Sequence, residues 1–495
     1  MSAETGLTAV THIPGINGRY FHYVPRSLEF LLKRPEVQAY LLLTHNTVSH
    51  PFQLASLDDL IPYPLKYNIH ETFTSIMTQL KILICGGGIA GNALAFWLGK
   101  LGHDITVIER FPNLRTTGLQ IDLRGHGIKV LKRMGLEQEF RARRAPEQGL
   151  QIIDTTGKRR ALFPANTSGE GVQSFTTDWE IMRGDLCRLL YDHSKDGTKY
   201  IFGTSIDSFE NKDGGVEVLF SNGKTDRFDL LVGADGIGSK IRRLMVGSDT
   251  EDGYSPLRGT YIAYFTVPRP VKKGDEYLAT VYIAPGRRAI MARRHNPDQI
   301  QVYLMLKNDS DRLRDSRRGD TDEERAALAE IYRGAGWETE EIIRAMNESD
   351  DFYLERMGLI KLDSWSSGHV TLLGDAAYCP SANTGMGTTS AMLGAYVLAG
   401  EIGRHCKGVN AKDGLAAALK AYEQKFRPFM RQVQEGVSES TGLGSRIIPT
   451  TPFGIRVMYF VAWVISVVRL NFIGYWFFRE DIKWDLPEYK GILKN

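Results

Sequence analysis

The chain has 495 residues, a formal net charge of +3 and 42% apolar residues. It is long enough for a large core and several domains, and too near globular averages to be a disordered polyelectrolyte. The charge balance excludes a strongly basic nucleic-acid binder, and four cysteines without CxxC spacing (Cys85, Cys187, Cys379, Cys406) exclude a disulfide scaffold and suit a reducing, cytoplasmic setting.

Residues 1–76 hold short apolar pieces such as Tyr40-Leu41-Leu42-Leu43 without a sustained period. They read as a poorly ordered N-terminal extension, with a targeting or partner segment as the alternative. No basic stretch leads into an apolar one, so a signal peptide is not expected. From Leu80 onward, apolar runs alternate with helical stretches, the pattern of βαβ units and a parallel sheet. The first run, Lys81 to Cys85, leads into Gly86-Gly87-Gly88-Ile89-Ala90-Gly91 and then a helix with Leu94, Trp97, Leu98 and Leu101 on one face. In that setting the glycines have distinct tasks. Gly86 allows the tight turn, Gly88 lets backbone approach a pyrophosphate, and Gly91 lets helix and strand close on each other. The helix start then offers free amides and a positive dipole end to phosphate. The second strand, Asp104 to Ile108, ends in Glu109, whose carboxylate suits ribose hydroxyls and repels a 2′-phosphate; the bound adenosine is that of FAD or NAD rather than NADP. No second glycine fingerprint in the same context is present.

Further along, Arg183-Gly184-Asp185-Leu186 lies on a helix, and Asp229 to Gly236 is an apolar strand ending in Asp235-Gly236. Residues 255–365, joined by part of 145–178, read as an inserted substrate domain. Thr260 to Phe265 and Gln301 to Leu306 are its strands in a mostly antiparallel sheet, and Tyr261, Tyr264 and Tyr282 line either a substrate pocket or the core. Arg287-Arg288 and Arg293-Arg294 read as solvated turns. The α/β pattern resumes at His369 to Asp375, a strand ending in Gly374-Asp375, followed by Gly385-Met386-Gly387 and a helix. Thus 77–254 and 366–430 form one discontinuous nucleotide-binding domain. The 11 histidines show no ligand spacing, and no metal site is expected. Residues 431–495 read as an apolar helical tail. The run Val457 to Val468 is too short for a span, which takes about 20 apolar residues. The segment 452–478 is expected to pack on the body or a second subunit, or to lie at a membrane interface as a peripheral contact.

Three of these segments, Gly86 to Gly91, Asp229 to Gly236 and His369 to Gly387, fall in an order that resembles the single-component FAD-dependent aromatic hydroxylases. These are the para-hydroxybenzoate hydroxylase-like flavin monooxygenases, and the closest-looking branch holds the tetracycline-inactivating and secondary-metabolite tailoring enzymes. The resemblance covers about residues 78–430. It implies an α/β fold: a Rossmann-like FAD-binding domain, an inserted β-sheet substrate domain and a C-terminal helical tail. It implies a monooxygenase that is reduced by NADPH or NADH and transfers oxygen from O2, through a flavin C4a-hydroperoxide, to a small organic substrate. By the same resemblance Glu109 binds ribose, Asp375 the pyrophosphate and ribityl region, and Arg183 and Asp122 contact FAD. Arg115 serves NADPH, Asp235 serves FAD or the nicotinamide nucleotide, and Gly385 and Gly387 admit the flavin. Tyr264 and Tyr282 are the substrate-side candidates. The alternatives are a reductase or dehydrogenase on the same fold, or a non-catalytic GDI-like binding protein. Three departures stand out: the family's histidine is Tyr378, its asparagine after Gly-x-Gly is Thr388, and its acidic residue further along the helix is replaced near Gly394.

Overall fold

A computed structural model describes residues 79–165, 177–247, 251–308, 310–316, 319–408, 410–437, 449–468 and 482–493. The expected extension 1–76 lies outside the described residues. In chain order the strands are β1 (Lys81–Cys85), β2 (Asp104–Glu109), β3 (Gln120–Asp122), β4 (Gly149–Ile153), β5 (Arg159–Pro164), β6 (Glu180–Met182), β7 (Thr198–Phe202), β8 (Ile206–Lys212), β9 (Gly215–Phe220), β10 (Thr225–Phe228), β11 (Leu230–Gly233), β12 (Tyr254–Pro268), β13 (Leu278–Ala284), β14 (Arg288–Arg294), β15 (Gln299–Lys307), β16 (Tyr353–Ile360), β17 (Ser366–Ser367) and β18 (Val370–Leu372).

Ile82, Leu83 and Ile84 are continuous apolar residues with no solvent exposure, as a strand covered on both faces requires. β1 accordingly sits inside a six-stranded sheet of order β17-β18-β11-β1-β2-β7, pairing parallel with β2 and β11. The helix Ile89–Lys100 is buried from Ala90 to Leu98. The helix Gly387–His405 is buried from Thr389 to Ile402, the mark of a helix enclosed by protein on all sides. The chain end returns to this body: Tyr489 donates its hydroxyl to Glu401 at 2.6 Å, and the Trp484 indole donates to the Lys425 carbonyl at 2.9 Å.

The second sheet has order β16-β12-β15-β14-β13-β4-β5; every pairing is antiparallel except β13 with β4. Side chains in register share a face. Ala263, Leu304, Ile290 and Tyr282 stand in one row and pack against Ala327, Leu328 and Tyr332 of the helix Thr321–Tyr332 and Ile342 and Met346 of the helix Thr339–Glu348. Tyr264, Tyr303, Met291 and Val281 form the adjacent row, which faces the other way. This parity corrects the substrate-side reading of Tyr282. Its hydroxyl donates to the Ala335 carbonyl at 2.5 Å and its ring lies in the helix-covered core, as does that of Tyr261. Tyr264 is on the opposite face.

The arginines read as solvated turns also need correction. Arg288, Arg293 and Arg294 lie on β14, and Arg293 is enclosed. Its guanidinium donates twice to Glu147, each time at 2.7 Å, and again to Glu180 on β6, which also accepts from Gln120 on β3. On the same face, Gln301 accepts from the Gln120 amide at 3.1 Å and donates to the Gly118 carbonyl at 2.9 Å. This buried polar cluster locks the open face of the sheet onto the β3–β6 ribbon of the nucleotide domain. Two carboxylates around one guanidinium leave an excess negative charge away from water. Burial, and then the charge of Glu147, push Glu180 up to about 7.

The folded chain therefore keeps a proton on Glu180 that an unfolded glutamate, with an ordinary value of 4.5, releases. Between those values the folded state binds more protons, so this group's contribution to stability falls as pH rises. Glu180→Gln is expected to flatten that slope by roughly 1–3 kcal/mol, measured as the difference in urea unfolding free energy between about pH 5 and about pH 8.

Candidate functional site

The glycine fingerprint closes because two side chains are missing, those of Gly86 and Gly91. Gly86 has φ +116°, and a Cβ there would overlap the Ala234 carbonyl at the end of β11. A Cβ on Gly91 would overlap the Gly86 carbonyl oxygen itself. Gly88 faces open space, with only the Arg183 guanidinium near, 3.7 Å from where its Cβ would be. Glu109 supports the loop from β2: one carboxylate oxygen accepts from the Gly87 amide at 2.9 Å, the other from the Phe111 amide at 3.1 Å. A carboxylate has about four acceptor positions, so lone pairs remain for ribose hydroxyls. Beneath the loop, Asn92 donates to the Gly87 carbonyl at 2.9 Å and accepts from Tyr200 at 2.8 Å. No sequence pattern announced Asn92 or Tyr200, because their pairing depends on β7 lying beside β2.

Gly374 brings the second half of the site to the first. Its φ is +66°, and a Cβ there would lie 2.9 Å from that of Ala90 and 4.0 Å from that of Ala391, so it stands between the starts of the two long buried helices. Neither helix is capped by a side chain, and neither carries an acidic residue in its first turn. Their leading amides and positive dipole ends are therefore not consumed by the protein's own carboxylates. Asp375 is walled in by protein yet keeps solvent access, the situation of a side chain on a cleft floor. Burial pushes its carboxyl up, while the Cys379 thiol and the positive charge of Arg183 partly offset this. The loop that follows is strained and polar. Ser381 has φ +69° although it carries a side chain, and its buried hydroxyl, like that of Ser390, has no partner among the described residues. Strain and orphaned donors of this kind gather at binding sites. Gly385 takes a left-handed conformation at φ +65°, and Gly387 faces open space.

Arg183 opens its helix and donates to the Thr117 carbonyl at 3.3 Å. Arg115 lies close enough that burial and the charge of Arg183 lower its affinity for the proton. Together with Arg110 they form a cationic rim beside the glycine loop. Asp122 pairs with Arg124, whose amide donates to Thr389 Oγ1 at 2.9 Å in the first turn of the helix Gly387–His405. Asp235 has a different local task. One oxygen accepts from Ser239 Oγ at 2.5 Å and the other from the amides of Lys240 and Ile241, so it fastens the start of the helix Lys240–Val246.

Two of the three departures from the family pattern, Tyr378 and Gly394, explain each other. Tyr378 is buried, with Tyr422 donating to its hydroxyl at 3.2 Å, and a Cβ on Gly394 would overlap that hydroxyl. A larger residue at 378 and the smallest residue at 394 fill one volume.

A Cβ-free cradle, two uncapped helix starts, a cleft-floor aspartate, a cationic rim and orphaned hydroxyls fit a dinucleotide, so fold and site define a dinucleotide-binding protein. A model described as FAD binding domain matches residues 79–437, and the chain belongs to that family. It is 51% identical over 431 residues to the FAD-dependent monooxygenase asL4 of Sarocladium schorii, covering 85% of this chain and all of that one. It is 42% identical over 402 residues to the flavin-dependent monooxygenase eupH of Phoma sp, covering 78% and 92%. The crystal structure of the tetracycline destructase Tet(51) superposes with a TM-score of 0.66 at 28% identity, covering 83% of this chain and all of that one. The protein is an FAD-dependent monooxygenase.

Gly91→Ala is expected to abolish flavin retention, read as the ratio of visible to ultraviolet absorbance of the purified protein. Gly394→Ala is expected to cost about 1–3 kcal/mol through overpacking. Adding Tyr378→Phe, which removes the overlapping hydroxyl, is expected to restore part of that loss in a double-mutant cycle of thermal melts.

Proposed function

We propose that the enzyme consumes NADPH or NADH and molecular oxygen to hydroxylate or epoxidise a small aromatic, polyketide or terpenoid substrate in secondary metabolism. The single observation carrying this reading is the open face of the seven-stranded sheet. Ile262, Met291, Met305, Val281 and Ile283 are only half-buried there, beside the polar tips of Tyr264 and Tyr303, on the face that Gln301 and Arg293 fasten to the nucleotide domain. An apolar surface with a few placed polar groups suits a substrate with a large carbon skeleton and few oxygens.

Bound FAD would accept a hydride and activate oxygen; the protein supplies position, charge and dryness. With FAD bound, the amides leading the helix Gly387–His405 would stabilise negative charge developing on it. The rim of Arg110, Arg115 and Arg183 attracts the nicotinamide nucleotide's phosphates. Tyr264 donates to Glu355 at 3.2 Å, and burial pushes its hydroxyl well above the usual phenol range, so it stays a neutral donor at working pH. The apolar roof keeps water from the reacting atoms. No nucleophile–base pair is needed for such a reaction.

The test is a panel of phenols, aromatic polyketides and terpenoids screened for stimulation of NADPH oxidation with matching oxygen uptake. Nucleotide oxidation without oxygen uptake, for every compound, would return the protein to the reductase class. Arg115→Ala is expected to raise the KM for NADPH by about tenfold or more while leaving flavin content intact, as for loss of one charge-assisted contact.

A further inference from the structure

The helix Pro452–Val468 inverts the usual arrangement of a surface helix. Ile455 and Ala462 are buried, and Tyr459 reaches the Ile283 carbonyl at 3.5 Å, so the inner face sits at the β5–β13 end of the second sheet. The outer face is apolar. Phe453, Val457, Phe460, Val464 and Val467 follow one another at four- and three-residue steps, with Val461 and Val468 beside them, so they form a single stripe. Exposure is 74% at Phe453, 63% at Phe460 and 51% at Trp463, far beyond the scattered surface leucines of ordinary proteins. Arg456, also exposed, is the only charged residue of the helix.

Charge decides which partner this stripe fits. Residues 440–479 contain four arginines, no lysine and no acidic residue, with Glu439, Glu480 and Asp481 at their borders; Arg456 is the one that lies on the helix. A stripe meant for a second copy carries charges of both signs along its flanks to set register; one of a single sign would repel its own copy. Positive charge beside exposed Phe, Trp and Val is the composition of a helix that lies in the headgroup region of an anionic lipid surface. No helix among the described residues is long and apolar enough to cross a membrane, so the contact is one of lying on, not spanning. We propose that the helix Pro452–Val468 is an interfacial anchor that places the enzyme on an anionic membrane surface.

The experiment is co-sedimentation of the full-length flavin-loaded protein with vesicles of phosphatidylcholine alone or doped with phosphatidylserine. The wild type is expected to pellet with the phosphatidylserine vesicles, and less so at high salt. Combining Phe460→Ser, Trp463→Ser and Val467→Ser, all exposed, is expected to weaken partitioning by at least about tenfold with flavin content and melting temperature unchanged. Arg456→Glu is expected to remove the preference for phosphatidylserine. A wild type that stays in the supernatant with both vesicles overturns the proposal, as does a triple variant that pellets like the wild type. Concentration-dependent dimerisation of the wild type, lost in the triple variant and without vesicle binding, would assign the stripe to a second copy instead.

Discussion

The structure depends on one close approach: the Gly86 carbonyl lies where a side chain on Gly91 would have to be. Only two residues without Cβ atoms let strand β1 turn back on itself and start a helix within a few residues. That turn aims the first amides of the helix outward instead of into a cap. Once it is fixed, the position of every other part follows. Glu109 at the end of β2 meets the loop amide, Ala234 at the end of β11 closes behind it, and Gly374 slots the start of the Gly387 helix alongside. The resulting cleft gathers two positive helix ends without any carboxylate in their first turns. In low dielectric such ends act on a bound anion far more strongly than in water.

A second constraint joins this cleft to the sheet above it. Arg293 is held by Glu147 and Glu180 away from solvent, with Gln120 and Gln301 completing the cluster. A buried guanidinium with two carboxylates is a poor source of net stability, because desolvation offsets most of the attraction. Its geometry is nonetheless directional, and it ties β14 to β6 at a defined register. The row of half-buried Met291 and buried Tyr264 and Tyr303 is thereby turned toward the nucleotide domain, and Tyr282 away from it.

Local chemistry made the candidate cofactor site legible. The glycine spacing, the carboxylate ending β2 and the Gly-Asp ending β18 each owe their role to neighbours within a few residues, and the strand–turn–helix context lies in the same stretch of chain. Asp235 shows the limit of that reading. Asp-Gly at a strand end is visible in the sequence, but only the fold reveals that its oxygens fasten the next helix. Tyr378 and Gly394 show another. Each looks like a lost feature when compared with a pattern position by position, and becomes one packed unit when the strand end and helix are laid together.

The sequence by itself determined the class of fold and a candidate dinucleotide loop, because backbone freedom and dipole direction are set by residues adjacent in the chain; FAD in place of NAD came from the resemblance carried by three motifs in order. Tertiary structure alone decided which face of the inserted sheet meets the cleft, that Arg293 is enclosed and not solvated, and that the helix Pro452–Val468 shows its apolar side to the outside. Those properties depend on strand register and on which surface is already covered. A two-residue period places Tyr264 and Tyr282 on some pair of faces, but only the two helices packed on one of them give the faces different meanings.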